Sequence, residues 1–126
     1  MTLVHELSYS HQLEMVVLGY ALSSADGLRA VCALLKKEDF HSPKHQVLFS
    51  VLREICQKGL SLDIPVLCEA LQKQKFRMAE SCLIRMRILV LDREQAHGCM
   101  EEVRRLSLMR EILQPDFFSH SEKSKG

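Results

Sequence analysis

The stretch KKEDFHSPKHQVLF, residues 36–49, decides how the chain is read. Its Ser42-Pro43 pair is a helix start. Proline suits the first helical position, where its missing N–H costs nothing, and the serine before it carries a hydroxyl able to cap free amides. This start puts His41 outside the helix and His45 inside it. Their four-residue spacing therefore does not place two imidazoles one turn apart on a single face, as the metal-binding H-E-x-x-H pattern requires, and no glutamate lies between them. The histidines are read as part of the fold, with His45 packed near the helix start and no metal expected. Val47, Leu48, Val51, Leu52, Ile55 and Cys56 then recur on one side to about Lys58, and Gly59 is placed to close the helix in a left-handed conformation.

Working outward from this helix, apolar residues recur at three- and four-residue steps almost everywhere, with no sustained two-residue alternation of the kind a half-buried strand shows. The expected fold class is all-α. Leu13, Val16, Val17, Tyr20 and Ala21 line one side of a helix from about Leu13 to Leu22. Ser23, Ser24 and Asp26 break it and offer caps for a second helix, about 26–36, which carries Leu28, Val31, Cys32 and Leu35 and ends at Lys36 and Lys37. A short fourth helix is capped by Asp63, with Pro65 in its first turn and Val66, Leu67, Ala70 and Leu71 facing inward. The remaining helical sequence divides at Asp92, which with Gln95 forms a capping box, into a fifth helix of about 77–90 and a final one. A short connection there favours an antiparallel hairpin over about 77–113, following a head over about 11–75. Residues 1–114 are expected to form one domain, with 115–126 a tail or the start of a linker.

Composition bounds the function. The chain has 126 residues, 47% hydrophobic and 26% charged, enough for one core. Its 17 basic and 16 acidic residues give a formal net charge of +1, too small to steer the whole molecule onto nucleic acid or an anionic membrane. No apolar run reaches the length needed to span a bilayer, and the start lacks the order of a secretory signal, so a cytoplasmic protein without membrane contact is expected. The five cysteines, Cys32, Cys56, Cys68, Cys82 and Cys99, show no C-x-x-C spacing and are read as reduced, buried thiols. There is neither a phosphate-cradling glycine loop nor a G-x-S-x-G elbow, so no enzyme activity and no cofactor are expected.

A binding or assembly role follows, and the last two helices are the place for it. They carry more apolar positions than two helices leaning on a small head require, which points to a self-association face built from Met86, Ile88, Leu89, Val103, Leu108 and Met109, flanked by Arg85 and Arg104. The arginines of the same region leave a nucleic-acid-binding face as an alternative, weakened by nearby acids such as Glu101 that pair within the helix.

The order LEMVVLGYAL, LLKKEDFHSPKHQVLFSVLREICQKG, LSLDIPVLCEAL resembles the N-terminal domain of DnaB-type replicative DNA helicases. The residues that carry the resemblance are Glu14, Val17, Leu18, Gly19 and Leu22, then Leu35, Asp39, Phe40, His45, Leu48 and Phe49, and then Gly59, Asp63 and Leu71. It covers about residues 12–75 well and extends more loosely through VRRLSLMREIL. It departs at FRMAESCLIRM, residues 76–86, where the family's G-G-x-x-Y-L segment has no glycine counterpart. The motor domain that follows a linker in the family has no counterpart in these residues either. The resemblance implies a small helical head with a hairpin, pairing between subunits into dimers or a hexameric collar, docking of primase or a helicase loader, and only indirect contact with DNA. A stand-alone regulator that mimics such a collar and competes for its partners is the other reading.

Overall fold

A computed structural model of the chain describes residues 3–89 and 91–113, with side chains from Tyr9 onward. Among the described residues there are six α-helices and one 3₁₀ turn, and no strand. In chain order they are α1 (Leu3–Ser23), α2 (Ala25–Leu34), the 3₁₀ turn Lys37–Asp39, α3 (Pro43–Gln57), α4 (Ile64–Lys73), α5 (Glu80–Ile88) and α6 (Arg93–Leu113).

The local signals act where they stand. Ser24 is extended and its Oγ accepts from Gly27 N at 2.9 Å, which starts α2. Asp63 Oδ1 accepts from Val66 N at 2.9 Å at the start of α4, with Pro65 in the first turn. Asp92 and Gln95 form the reciprocal capping box: Gln95 N donates to Asp92 Oδ1 at 2.7 Å and Asp92 N to Gln95 Oε1 at 3.3 Å. Gly59 closes α3 at φ +66°.

Several boundaries differ from the sequence reading. Helix α1 begins at Leu3, ten residues before the apolar periodicity does, and it packs against α6, with Tyr9 reaching Glu102, a contact no local pattern announces. Helix α2 stops at Leu34, since Leu35 is extended. Lys37 then enters a 3₁₀ turn that Asp39 closes by accepting from Lys36 N at 3.0 Å. Ser42 does not use its hydroxyl as a cap; Glu14 from α1 instead takes the amides of His41 and Ser42, just ahead of the helix. Val66 faces solvent instead of the core. Helix α5 spans only Glu80–Ile88, after a left-handed Lys75 (φ 56°) turns the chain away from α4.

Helix α1 is the axis of the head. It is packed by α2, α5, α6 and α3, while α3 also holds α2, α4 and the 3₁₀ turn. Val17, Leu18 and Ala21 of α1 meet Leu48, Phe49 and Leu52 of α3, Leu67 and Leu71 of α4 and Leu83 of α5 in one continuous core. Phe40, just after the 3₁₀ turn, is buried against Phe49 with ring centroids 5.1 Å apart. Gly19 lets α5 cross α1 backbone to backbone. A Cβ there would lie 2.1 Å from the carbonyl oxygen of Met86. The two helices after residue 77 are thus each seated chiefly on α1, and α1 rather than a long mutual seam holds them.

Candidate protein-interaction site

Two neighbouring arrangements, one polar and buried and one apolar and exposed, stand out from an otherwise ordinary helical head. The polar one centres on Glu14, which is 1% exposed. Its Oε2 accepts from His41 N at 2.6 Å, and its Oε1 accepts from Ser42 N at 3.3 Å and lies 2.7 Å from His45 Nδ1. An ionised carboxylate makes that imidazole nitrogen the donor. Ser10 Oγ adds a longer contact at 3.4 Å, and the His11 ring stacks on His45 with centroids 4.7 Å apart. Burial pushes the Glu14 carboxyl up, but the His45 hydrogen bond and the two backbone amides outweigh it and hold the group below its ordinary value. His11 is held below the usual histidine value by burial first and by the neighbouring His45 second. No buried side-chain nitrogen or oxygen among the described residues lacks a partner, so the cluster is satisfied as it stands. Nor do the described residues contain a group of three ligating side chains suited to a metal ion.

The apolar arrangement belongs to α6. Ala96, Met100, Val103 and Ser107, at four- and three-residue steps, form the buried face against the head. The opposite face is charged in the middle of the helix, at Glu101 and Arg105, and turns apolar in the last two turns at Leu108, Met109 and Ile112, all exposed. Ile112 is 77% exposed, and Leu113 beside it 75%. Arg105 pairs with Glu102 through two contacts of 2.7 Å, and this holds the Glu102 carboxyl below its ordinary value; Arg105 Nη1 also approaches Met109 Sδ at 3.0 Å. Tyr9 Oη donates to the same Glu102 at 3.4 Å.

The residues expected to form an interface divide under this geometry. Ile88, Leu89, Leu108 and Met109 are exposed apolar residues, and Arg85 and Arg104 are exposed. Met86 and Val103 are 1% and 2% exposed and belong to the core, a correction that follows from α1 covering them. The exposed set is also not one stripe. Ile88 and Leu89 precede the start of α6, while Leu108 lies about 22 Å along the helix axis from Arg93, at 1.5 Å per residue. Of the residues carrying the family pattern, Glu14, Asp39, Phe40, His45 and Phe49 are buried, Gly19 is the α1–α5 crossing, and Gly59 and Asp63 bound the α3–α4 connection.

Sequence reasoning missed the links between these parts. Glu14 and His45 are 31 residues apart. Arg110 Nη2 donates to the Asp39 carbonyl at 2.9 Å and Ser107 Oγ to the Glu38 carbonyl at 3.4 Å, across 71 and 69 residues. No spacing rule could have paired them. The cysteines are all half-buried rather than buried. Burial and the adjacent Cys56 push the Cys32 thiol up to about 12, so this one is kept protonated and unreactive at neutral pH.

No helix among the described residues is long and apolar enough to cross a membrane. No curated protein matches the chain. Among solved structures, it is similar to the N-terminal domain of DnaB helicase from Helicobacter pylori, whose structure was described together with its interactions with primase. That likeness has a TM-score of 0.78 at 17% identity and covers 98% of this chain and 99% of the other. It is also similar to the N-terminal domain of DnaB helicase from Mycobacterium tuberculosis, with a TM-score of 0.76 at 20% identity over 89% of this chain and 80% of the other. At such identities the likeness establishes the all-helical fold. The family model for the DnaB-like helicase N terminal domain matches residues 6–105, which takes in the Glu14 cluster, the α1–α5 crossing and most of α6. With that match over most of its length, the chain belongs to the DnaB-like helicase N-terminal domain family.

Proposed function

We propose that the chain is a non-catalytic assembly and docking domain of a replicative DNA helicase, which self-associates through the apolar end of α6 and presents its head to a primase-type partner. The observation that carries the reading is the reversal on the back of α6, from Glu101 and Arg105 to Leu108, Met109 and Ile112. Those side chains cover nothing in the head, and a contiguous exposed apolar patch with a charged border is the signature of a contact surface. Support for the primase partner comes from the Helicobacter pylori neighbour, whose structure was described with its interactions with primase.

Magnitudes set the strength of the self-contact. Covering a half-exposed Leu, Ile or Met side chain gains roughly 1–2 kcal/mol. Two copies meeting back to back would cover Leu108, Met109, Ile112 and Leu113 twice, for roughly 8–16 kcal/mol, against an association cost of about 4–15 kcal/mol. The isolated domain is therefore expected to dimerise weakly. Domains held together in a larger assembly would pair far more completely, because tethering raises their effective concentration.

Sedimentation of the chain and of a Leu108→Lys/Ile112→Lys variant tests this. Concentration-dependent dimers that vanish in the variant, with helical content unchanged, are expected. An equally dimeric, still-folded variant would overturn the α6 reading. Fluorescence anisotropy with single-stranded DNA separates the alternative: tight binding that weakens steeply with salt would favour the exposed arginines, Arg85 and Arg104 among them, as a nucleic-acid surface.

A further inference from the structure

We propose that Glu14, from inside the head, positions the distal half of α6, and with it the apolar surface at that helix's end, through the connection formed by residues 36–42. The path is continuous in hydrogen bonds. On one side the connection is held by Glu14, which takes the amides of His41 and Ser42. On the other side it holds α6, whose Ser107 and Arg110 donate to the carbonyls of Glu38 and Asp39. Between these ends the segment has little freedom of its own. Asp39 Oδ2 closes the 3₁₀ turn on Lys36 N at 3.0 Å, Gln46 Nε2 donates to the Phe40 carbonyl at 2.7 Å, and the Phe40 ring is buried.

The place of these bonds along α6 gives them leverage. Ser107 is the last buried residue of the helix, and beyond Arg110 come Glu111, Ile112 and Leu113, all exposed. The proximal half of α6 rests on α1, through Ala96, Met100 and Val103. The distal half rests on the connection, and Glu14 ties that connection to α1. Both seats of α6 thus refer to one helix, and only the second runs through a side chain that can be altered without touching α6. A shift of the connection would re-aim the last two turns, where small angular changes displace Leu108 and Ile112 the most. Glu14 is accordingly a positioning residue for the contact surface and no part of that surface.

This inference rests on the proposed self-association only for what the placement of α6 serves. Its test is therefore run in the Leu108→Lys/Ile112→Lys background, where dimerisation plays no part and failure of the dimer reading leaves the outcome untouched. Hydrogen-exchange mass spectrometry is compared with and without Glu14→Gln, which keeps the side-chain volume and removes the charge. Peptides covering residues 36–46 and 104–113 are expected to exchange about ten- to hundredfold faster, the effect of losing hydrogen bonds to a charged acceptor, with α4 peptides unchanged. Loosened 36–46 peptides beside an unchanged 104–113 region would overturn the proposal, as would a uniform loss that includes α4. Should Glu14→Gln fail to fold, Ser107→Ala/Arg110→Met cuts the other side of the path. Faster exchange of 104–113, with the His41 and Ser42 amides still protected, is then expected, and an unaltered 104–113 region would overturn the proposal equally.

Discussion

Glu14 and Ile112 break the same rule in opposite directions. One is a carboxylate 1% exposed in the middle of the head, the other an aliphatic residue 77% exposed at the end of the last helix. A buried charge survives because its partners come with it: two amides and an imidazole replace the water it lost. An exposed isoleucine needs no partner to be tolerated, and covering it becomes favourable only when another surface arrives. The difference teaches where to look for each role. Polar burial in this molecule fixes internal geometry, whereas apolar exposure offers contact.

Substitution should separate the two regions sharply. Glu14→Ala strands the His41 and Ser42 amides and the His45 ring, and is expected to cost roughly 3–5 kcal/mol in chemical denaturation, the range for breaking a buried pair from one side. Ile112→Lys is expected to leave stability within about 0.5 kcal/mol. Equal costs at the two positions would collapse the comparison.

A second variant asks whether steric constraint in the head rivals the polar one. Gly19→Ala sets a methyl group 2.1 Å from the Met86 carbonyl oxygen, a main-chain atom that cannot turn aside. Displacing α5 from α1 is expected to cost about 1–3 kcal/mol in thermal unfolding, less than Glu14→Ala. A neutral result would mean that α5 can move away from α1 freely.

The smallest effect is a pH dependence. Glu14 has a folded pKa below its ordinary 4.5, so its contribution is fully present above that value and is lost as pH falls through the folded pKa. His11, also held low, acts with the same sign in a higher window. The folded state resists its protonation, so stability begins to fall as pH drops below 6.5. Denaturation midpoints measured from pH 7 down through the folded Glu14 pKa should fall in both windows. His11→Asn should flatten the upper one and Glu14→Gln the lower, and a slope unchanged by either would remove the electrostatic part of the account.

How much of this was legible in the sequence follows the reach of each interaction. Ser24, Asp63 and the Asp92–Gln95 box are bonds across three residues, and the sequence displays both partners side by side. Gly59 was legible for the same reason, as a local conformational need. The hydroxyl of Ser42 forms no cap, and the bond that fixes this residue runs from its own amide to the Glu14 carboxylate on α1, 28 residues away, which no local pattern displays. Met86 and Val103 were assigned to the surface because a count of apolar positions on a helix does not say which neighbour covers them. Helix α1 does, and its own N-terminal half carried too little periodicity to be seen. The link from Arg110 to Asp39 pairs a guanidinium with a backbone carbonyl, and backbone carbonyls leave no mark in a sequence.

The crossing at Gly19 has a consequence for how such a chain can change over generations. Where one main chain rests on another, the register of two helices depends on a missing side chain at one position and on the few buried residues beside it, here Leu83 and Met86 of α5. Helix α5 could exchange most of its surface, including Ile88, Arg85 and Arg87, and still find its place against α1. The contact confines one site to glycine and leaves the exposed positions of α5 at liberty to drift, so new binding preferences can be tried there while the frame beneath stays in register.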